Sequence, residues 1–134
     1  MSKLLDSTVL VDLARENPIA RDYVNTLKCV DDEQREAQRV VLSIVSAMEL
    51  LVGCRNKREV RRIQKLLADY NALDLSPVIG RKAYELITRF SKSHGLGIPD
   101  ALIAATALVE GAVLITANAR HFDMIPGLPV ETPY

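Results

Sequence analysis

The chain has no surplus of charge of either sign, because 17 Lys and Arg residues balance 17 Asp and Glu over 134 positions. That balance argues against a generally basic coat for nucleic acid and leaves only a local patch open. Aromatic residues make up 4%, so extended stacking of bases on side chains is not expected. Cysteine is limited to Cys29 and Cys54, which lack metal-ligand spacing. Without a secretion signal they fit a reducing cytosol better than a disulfide framework, with one disulfide left open. No apolar run approaches the ~20 residues that span a bilayer. The one stretch that could serve as a targeting peptide, Lys3 to Leu13, is interrupted by Asp6 and Asp12 and followed by no small-residue cleavage site. A cytoplasmic protein without a membrane segment is expected. Internal repeats, low-complexity tracts and Gly/Ser linkers are missing too, which favours one unit over residues 1–134.

What is present is ordinary globular material, 49% hydrophobic and 25% charged. A chain of this length buries roughly two-thirds of the surface it exposes when unfolded. Lys3-Leu4-Leu5 predicts a short strand, and Ser7 to Glu16 a helix stopped by Asn17-Pro18. A second helix is expected over Ile19–Leu27, then a loop or exposed helical turn from Asp31 to Arg39. Val40 to Ile44 reads as a buried strand, after which Ser46 opens a helix through Val52. The largely basic stretch Lys57–Tyr70 is helical by its apolar period, and Leu73-Asp74-Leu75 resembles a strand. Pro77 begins the next helix, broken by Gly95 and Gly97. Pro99 begins another, so apolar from Ala101 to Val109 that it belongs in the centre. Val113–Ile115 and Pro129–Glu131 supply the remaining strands. Strands alternating with helices imply an α/β fold, a twisted parallel sheet of four to five strands flanked by helices.

Three acids stand beside apolar segments, where an isolated charge is costly. Asp6 ends the first strand, and in open α/β sheets ligands bind beyond the carboxyl ends of strands. Its plainer role is a helix cap. Glu49 is the only charged residue between Val40 and Cys54, and Ser46-Ala47-Met48-Glu49 also matches a capping box. Asp100 heads the most apolar helix, where the helix dipole alone favours an acid by roughly 0.3–1 kcal/mol. All three fall near helix starts, so they can converge on one edge of the sheet. Gathered carboxylates repel and raise one another's pKa, a conflict that a divalent cation removes. Oxygen ligands without neighbouring Cys or His favour Mg²⁺ or Mn²⁺ over zinc. After the strand Val113–Ile115, Asn118 offers an amide oxygen to a metal or its water, and Thr116 a hydroxyl to a phosphate. Ser7 and Thr8 either support the site or cap the first helix.

At these residues the sequence resembles the PIN-domain family, in particular the VapC-type toxins of toxin–antitoxin pairs. The resemblance rests on Leu5-Asp6-Ser7-Thr8-Val9-Leu10, Ser46-Ala47-Met48-Glu49-Leu50 and Pro99 to Ala107. Leu114 to Asn118, Arg120-His121-Phe122 and Ile125-Pro126-Gly127-Leu128 complete it. It implies an endoribonuclease that uses Mg²⁺ or Mn²⁺, forms a homodimer and is covered by a cognate antitoxin. Asp6, Glu49 and Asp100 match the family's acidic metal ligands. Asn118 stands where many members carry a fourth acid, which bears on a second metal, and Asp123 lies a few residues later.

The expected chemistry is in-line hydrolysis of RNA phosphodiester bonds, with Asp6, Glu49, Asp100 and Asn118 as catalytic residues. His94 and His121 read as surface or structural. RNA would be held by shape and phosphate contacts, with Arg120, Arg55 and Arg58 as candidates. Arg55 and Arg58 belong to a basic cluster with Lys57, Arg61, Arg62 and Lys65, whose plainer reading is a solvated face balanced by Glu59 and Asp69. Two other readings stay in play. One is a PIN-like module that binds RNA or protein without cutting. The other is a phosphoacceptor domain, which lacks the Lys it needs after a late strand, because none follows Lys92.

Overall fold

The computed structural model describes residues 2–28 and 39–134. The stretch Asp31–Arg39, read above as a loop or turn, lies outside them except for Arg39, and so does Cys29. Five strands form one parallel sheet: β1 (Lys3–Leu5), β2 (Val40–Ser43), β3 (Asn71–Leu73), β4 (Val113–Ile115) and β5 (Val130–Glu131). Their order is β3-β2-β1-β4-β5, so successive strands build outwards from β1 in both directions. The sheet therefore reverses its winding between β1 and β4, the place where open α/β sheets leave a crevice at their carboxyl ends.

Among the described residues, six helices cover the sheet: α1 (Ser7–Ala14), α2 (Pro18–Lys28), α3 (Ile44–Val52), α4 (Lys57–Leu67), α5 (Pro77–His94) and α6 (Ile98–Glu110). Side chains alternate across the strands, so neighbours in register share a face. Leu4, Val41 and Leu114 pack with α5 and α6, against Ile79, Leu86, Ile103 and Ala104. Leu5, Leu42 and Ile115 pack on the opposite side with Val9, Leu10, Val24 and Ile63. Helix α3 serves both layers, with Val45 in the first and Ala47 and Leu50 in the second. Small buried residues on α6, including Ala101, Ala104, Ala105 and Ala107, leave room for the close approach of α5.

Several boundaries depart from the sequence reading. Helix α3 begins at Ile44, not Ser46, because Ser43 is its N-cap and accepts from the Val45 N–H at 3.1 Å. Strand β3 occupies Asn71–Leu73, not Leu73–Leu75. Its partner β2 ends at Ser43, opposite Leu73, and past that point no ladder remains to hold Leu75, which is exposed. Helix α1 also stops early, at Ala14. The N–H groups of Glu16 and Asn17 bond back to the carbonyls of Leu13 and Asp12, both at 3.0 Å. This closing turn puts Glu16 at φ 60°, a left-handed conformation usually left to glycine. Asn17 then caps α2 by accepting from Ile19 N–H at 2.9 Å.

Candidate active site at the carboxyl edge of the sheet

Asp6 follows β1 at the reversal point and is only 3% exposed. It occupies the N-cap position of α1, yet its side chain caps no amide. The carboxylate instead accepts three hydroxyls: Thr116 at 2.7 Å, Thr8 at 3.2 Å and Ser7 at 3.4 Å. Two of these hydroxyls are held in turn, because Thr8 Oγ1 accepts from the Ala117 N–H at 3.1 Å and Thr116 Oγ1 from the Asn118 N–H at 3.0 Å. The backbone N–H of Asp6 donates to the Ile115 carbonyl at 2.9 Å. The exits of β1 and β4 are thus stitched together around one buried carboxylate. Thr116, expected to meet a phosphate, is fully buried and spends its proton on Asp6. Ser7 and Thr8 support Asp6; neither caps α1.

Glu49 lies in the second turn of α3, since the helix starts at Ile44. That register rules out the capping box proposed for Ser46 and Glu49. The Ser46 hydroxyl is instead buried without a partner among the described residues. The Glu49 side chain is exposed. Partial loss of hydration raises its pKa, followed by repulsion from Asp6 and Asp100, while the Ser7 hydroxyl pulls it back. Asp100 sits half-buried in the first turn of α6. Burial and then the Asp6 charge raise its pKa too. His121 opposes this from 3.3 Å, Nδ1 to Oδ2. The three acids are therefore brought within reach of one another's charge. They are not drawn into a closed ligand set: among the described residues, no group of three His, Cys, Asp or Glu side chains is gathered tightly enough to grip a metal as it stands.

Asn118 begins a short 3₁₀ turn, Ala119–His121, and its side chain is exposed and makes no capping bond. Arg120 is exposed on that turn and Asp123 just after it. Reading the sequence missed His121 as a neighbour of Asp100. Nothing local signals the pair, because the contact joins the first turn of α6 to the segment after β4. Arg55 is bound to Glu59, its Nη2 lying 2.7 Å from Oε1, and Arg58 stands exposed on α4.

A family model described as "PIN domain" matches residues 3–128. The chain belongs to the PIN-domain family. Ribonuclease VapC10 of Mycobacterium tuberculosis is 36% identical to this PIN domain over 126 residues, covering 93% of the chain and 89% of the relative. Ribonuclease VapC19 of the same organism is 33% identical, covering 98% and 99%. Among solved structures, a chain of a toxin–antitoxin complex from Klebsiella pneumoniae superposes with a TM-score of 0.76 at 28% identity, covering 99% of this PIN domain and 98% of that chain. Among the described residues, no helix is long and apolar enough to cross a membrane.

The donors at this edge suit a hard cation. They are carboxylate and amide oxygens, and Glu49 and Asp100 carry charge that rises in energy without a counter-ion.

Proposed function

We propose that the protein is a divalent-metal-dependent endoribonuclease, the toxin of a toxin–antitoxin pair, cutting RNA at the edge built around Asp6. The observation that carries this reading is the convergence of Asp6, Glu49 and Asp100 at the reversal point of the sheet, where the charges of Asp6 and Asp100 help to raise the pKa of Glu49 and that of Asp6 helps to raise the pKa of Asp100. Names of the relatives point the same way, since both are ribonucleases.

Asp6, Asp100 and Glu49 would hold the cation, Mg²⁺ or Mn²⁺, with Asn118 beside them. The chemistry such a cation supplies is neutralisation of charge on the phosphate and acidification of the attacking water. Asp6 is fixed by Ser7, Thr8 and Thr116, so its carboxyl oxygens are held in position without reorganising. Glu49, exposed and of raised pKa, would orient the water and take its proton. Attack in line with the leaving oxygen breaks the P–O3′ bond, leaving a 5′-phosphate and a 3′-hydroxyl. Arg120, on the turn after Asn118, and Arg58 are proposed to meet RNA. Arg55, tied to Glu59, offers less.

The partners follow from the same kinship. A cognate antitoxin is proposed to mask the site, as the Klebsiella chain belongs to a toxin–antitoxin complex. A homodimer is proposed as well, to be checked by light scattering.

The test is cleavage of total RNA by purified, antitoxin-free protein in Mg²⁺, Mn²⁺ or EDTA, beside Asp6→Ala and Asp100→Ala. Discrete fragments that need metal and vanish in both variants are expected. One observation favours a second reading, a module that binds RNA without cutting: the three acids do not close into a ligand set. A folded wild type that binds RNA and never cleaves it would select that reading.

A further inference from the structure

Beside the acidic edge, helices α1, α3 and α4 enclose a cavity of about 390 Å³. Glu49 forms part of its wall, so the cavity opens directly from the proposed site. Three arginines line it, Arg15 from the end of α1 with Arg55 and Arg62, along with one further acid, Glu59. These charges are not equivalent. Arg55 and Glu59 cancel: Arg55 Nε and Nη2 donate to Oε1 at 2.9 and 2.7 Å, and the Arg55 N–H donates to Oε2 at 2.7 Å. Arg62 is treated differently, donating from Nη1 to the Ala14 carbonyl at 2.8 Å. A neutral acceptor aims the guanidinium and leaves it outside any close ion pair, although its charge reaches Glu59. Arg15 is exposed and forms no ion pair among the described residues. Two arginines outside the Arg55–Glu59 pair, one of them already anchored, therefore line a pocket whose remaining wall includes Leu50 and Ile63.

We propose that this cavity is a substrate subsite in which Arg15 and Arg62 grip a backbone phosphate of single-stranded RNA next to the bond that is cut. The proposal rests on the ribonuclease reading above and names where its substrate lies. The guanidinium fork matches a phosphate's oxygens in two parallel hydrogen bonds, and Arg62 is partly immobilised before the ligand arrives. A strand crossing from the acids into the cavity would meet a cation-holding edge first and an arginine pair next, a sequence of charges suited to a polyanion. Leu50 and Ile63 offer an apolar surface to a sugar or base. An acidic protein tail is the rival occupant, and the test separates the two.

Binding of a short fluorescein-labelled RNA of mixed sequence is measured by anisotropy across a range of NaCl, in EDTA so that no cleavage intervenes. Arg15→Gln is expected to weaken binding about tenfold and to lower the slope of log K against log salt by about 0.7, the loss of one phosphate contact. Arg62→Gln should do the same. Arg89→Gln, exposed on α5, should leave affinity and slope unchanged. Should Arg62→Gln fail to fold, Arg15→Gln carries the test, because that exposed side chain makes no ion pair among the described residues. Wild-type affinity and slope in Arg15→Gln would overturn the proposal, as would losses equal to those in Arg89→Gln. It is also overturned if Arg15→Gln weakens capture of the cognate antitoxin and leaves RNA binding intact, which would give the cavity to a protein tail. Metal-dependent cleavage by the wild type is scored separately: its failure removes the nuclease reading, while the salt slope alone judges the subsite.

Discussion

The two walls of the acidic edge are built on opposite principles. The wall at the exits of β1 and β4 is buried and well bonded: Asp6 is 3% exposed, takes three hydroxyls, and two of those hydroxyls take backbone amides in turn. The wall on α3 and α6 is open. Glu49 is exposed, Asp100 has the solvent-facing His121 beside it, and both carboxyls are pushed above their ordinary pKa. A buried carboxylate held by three hydroxyls cannot move without orphaning its donors. An exposed one can rotate at little cost. On the function proposed above, the first wall would supply a fixed anchor, and the second would supply ligands able to adapt to a cation and to a changing phosphate.

The sharpest way to break this contrast is to remove the anchor. Asp6→Asn keeps the shape but discards the charge, and an amide donates where Thr116 already donates. Cleavage is expected to fall by about 10³-fold or more, the several kcal/mol that metal assistance supplies. Single-turnover rates at saturating Mn²⁺ check it. A loss below tenfold would mean that the open wall alone holds the cation.

Thr116→Val tests whether the anchor depends on its supports. The substitution removes the 2.7 Å bond to Asp6 and the acceptor for Asn118 N–H. Metal affinity should drop by roughly 10–100-fold, and unfolding free energy by about 1–3 kcal/mol for the buried groups left unpaired. Calorimetric metal titration and urea unfolding measure the two. An unchanged metal affinity would make Thr116 a purely structural residue.

The contrast also explains what could be seen in the sequence. Strands β1, β2 and β4 and the central helix α6 were legible because apolar runs, flanking Pro and Gly, and unbroken hydrophobic periods are local signals. The acids stood out for the same reason, as charges beside segments that otherwise bury. The start of α3 was not legible, because Ser43 and Ser46 are both plausible caps, and only the pairing of β2 with β3 through Ser43 decides between them. The role of Thr116 was invisible for a related reason. Its partner lies 110 residues away, and its depth depends on β4 entering beside β1. His121 beside Asp100 is a long-range contact of the same kind. Local physics marked the ligand candidates, and topology chose their supports.

A third prediction tests the open wall through stability. For a carboxyl whose pKa is higher folded than unfolded, the native state holds the proton more tightly. That contribution to stability is fully present below the ordinary values, 4.5 for Glu49 and 3.8 for Asp100. It is lost as pH rises through the raised values. Metal-free Glu49→Gln, which cannot ionise, is therefore expected to melt a few degrees above the wild type near neutral pH. The advantage should shrink as pH falls through the carboxylate range. Saturating Mg²⁺ should reverse the order, since the cation stabilises only the protein that keeps its ligand. Thermal melts across pH decide it. A Glu49→Gln protein less stable than the wild type at neutral pH, without metal, would show that Glu49 is not held at a cost.

The smallest expected effect belongs to His121, which relieves Asp100 on the open wall. Its Nδ1 lies 3.3 Å from Asp100 Oδ2 and opposes the rise in that carboxyl's pKa. The pair is largely exposed, and exposed pairs are weak. His121→Gln should therefore lower cleavage near neutral pH by less than about fivefold. The direction of the pH effect is more telling than its size. Without the imidazole, Asp100 keeps its proton to higher pH, so the acid limb of the rate profile should move towards neutrality while the plateau stays close to that of the wild type. The Asp6→Asn defect should be equally large with or without His121, because the imidazole contacts Asp100. If the acid limb stays in place, the imidazole does not govern Asp100. If the plateau collapses, His121 touches the reacting phosphate, and the open wall contains one more working residue than its carboxylates.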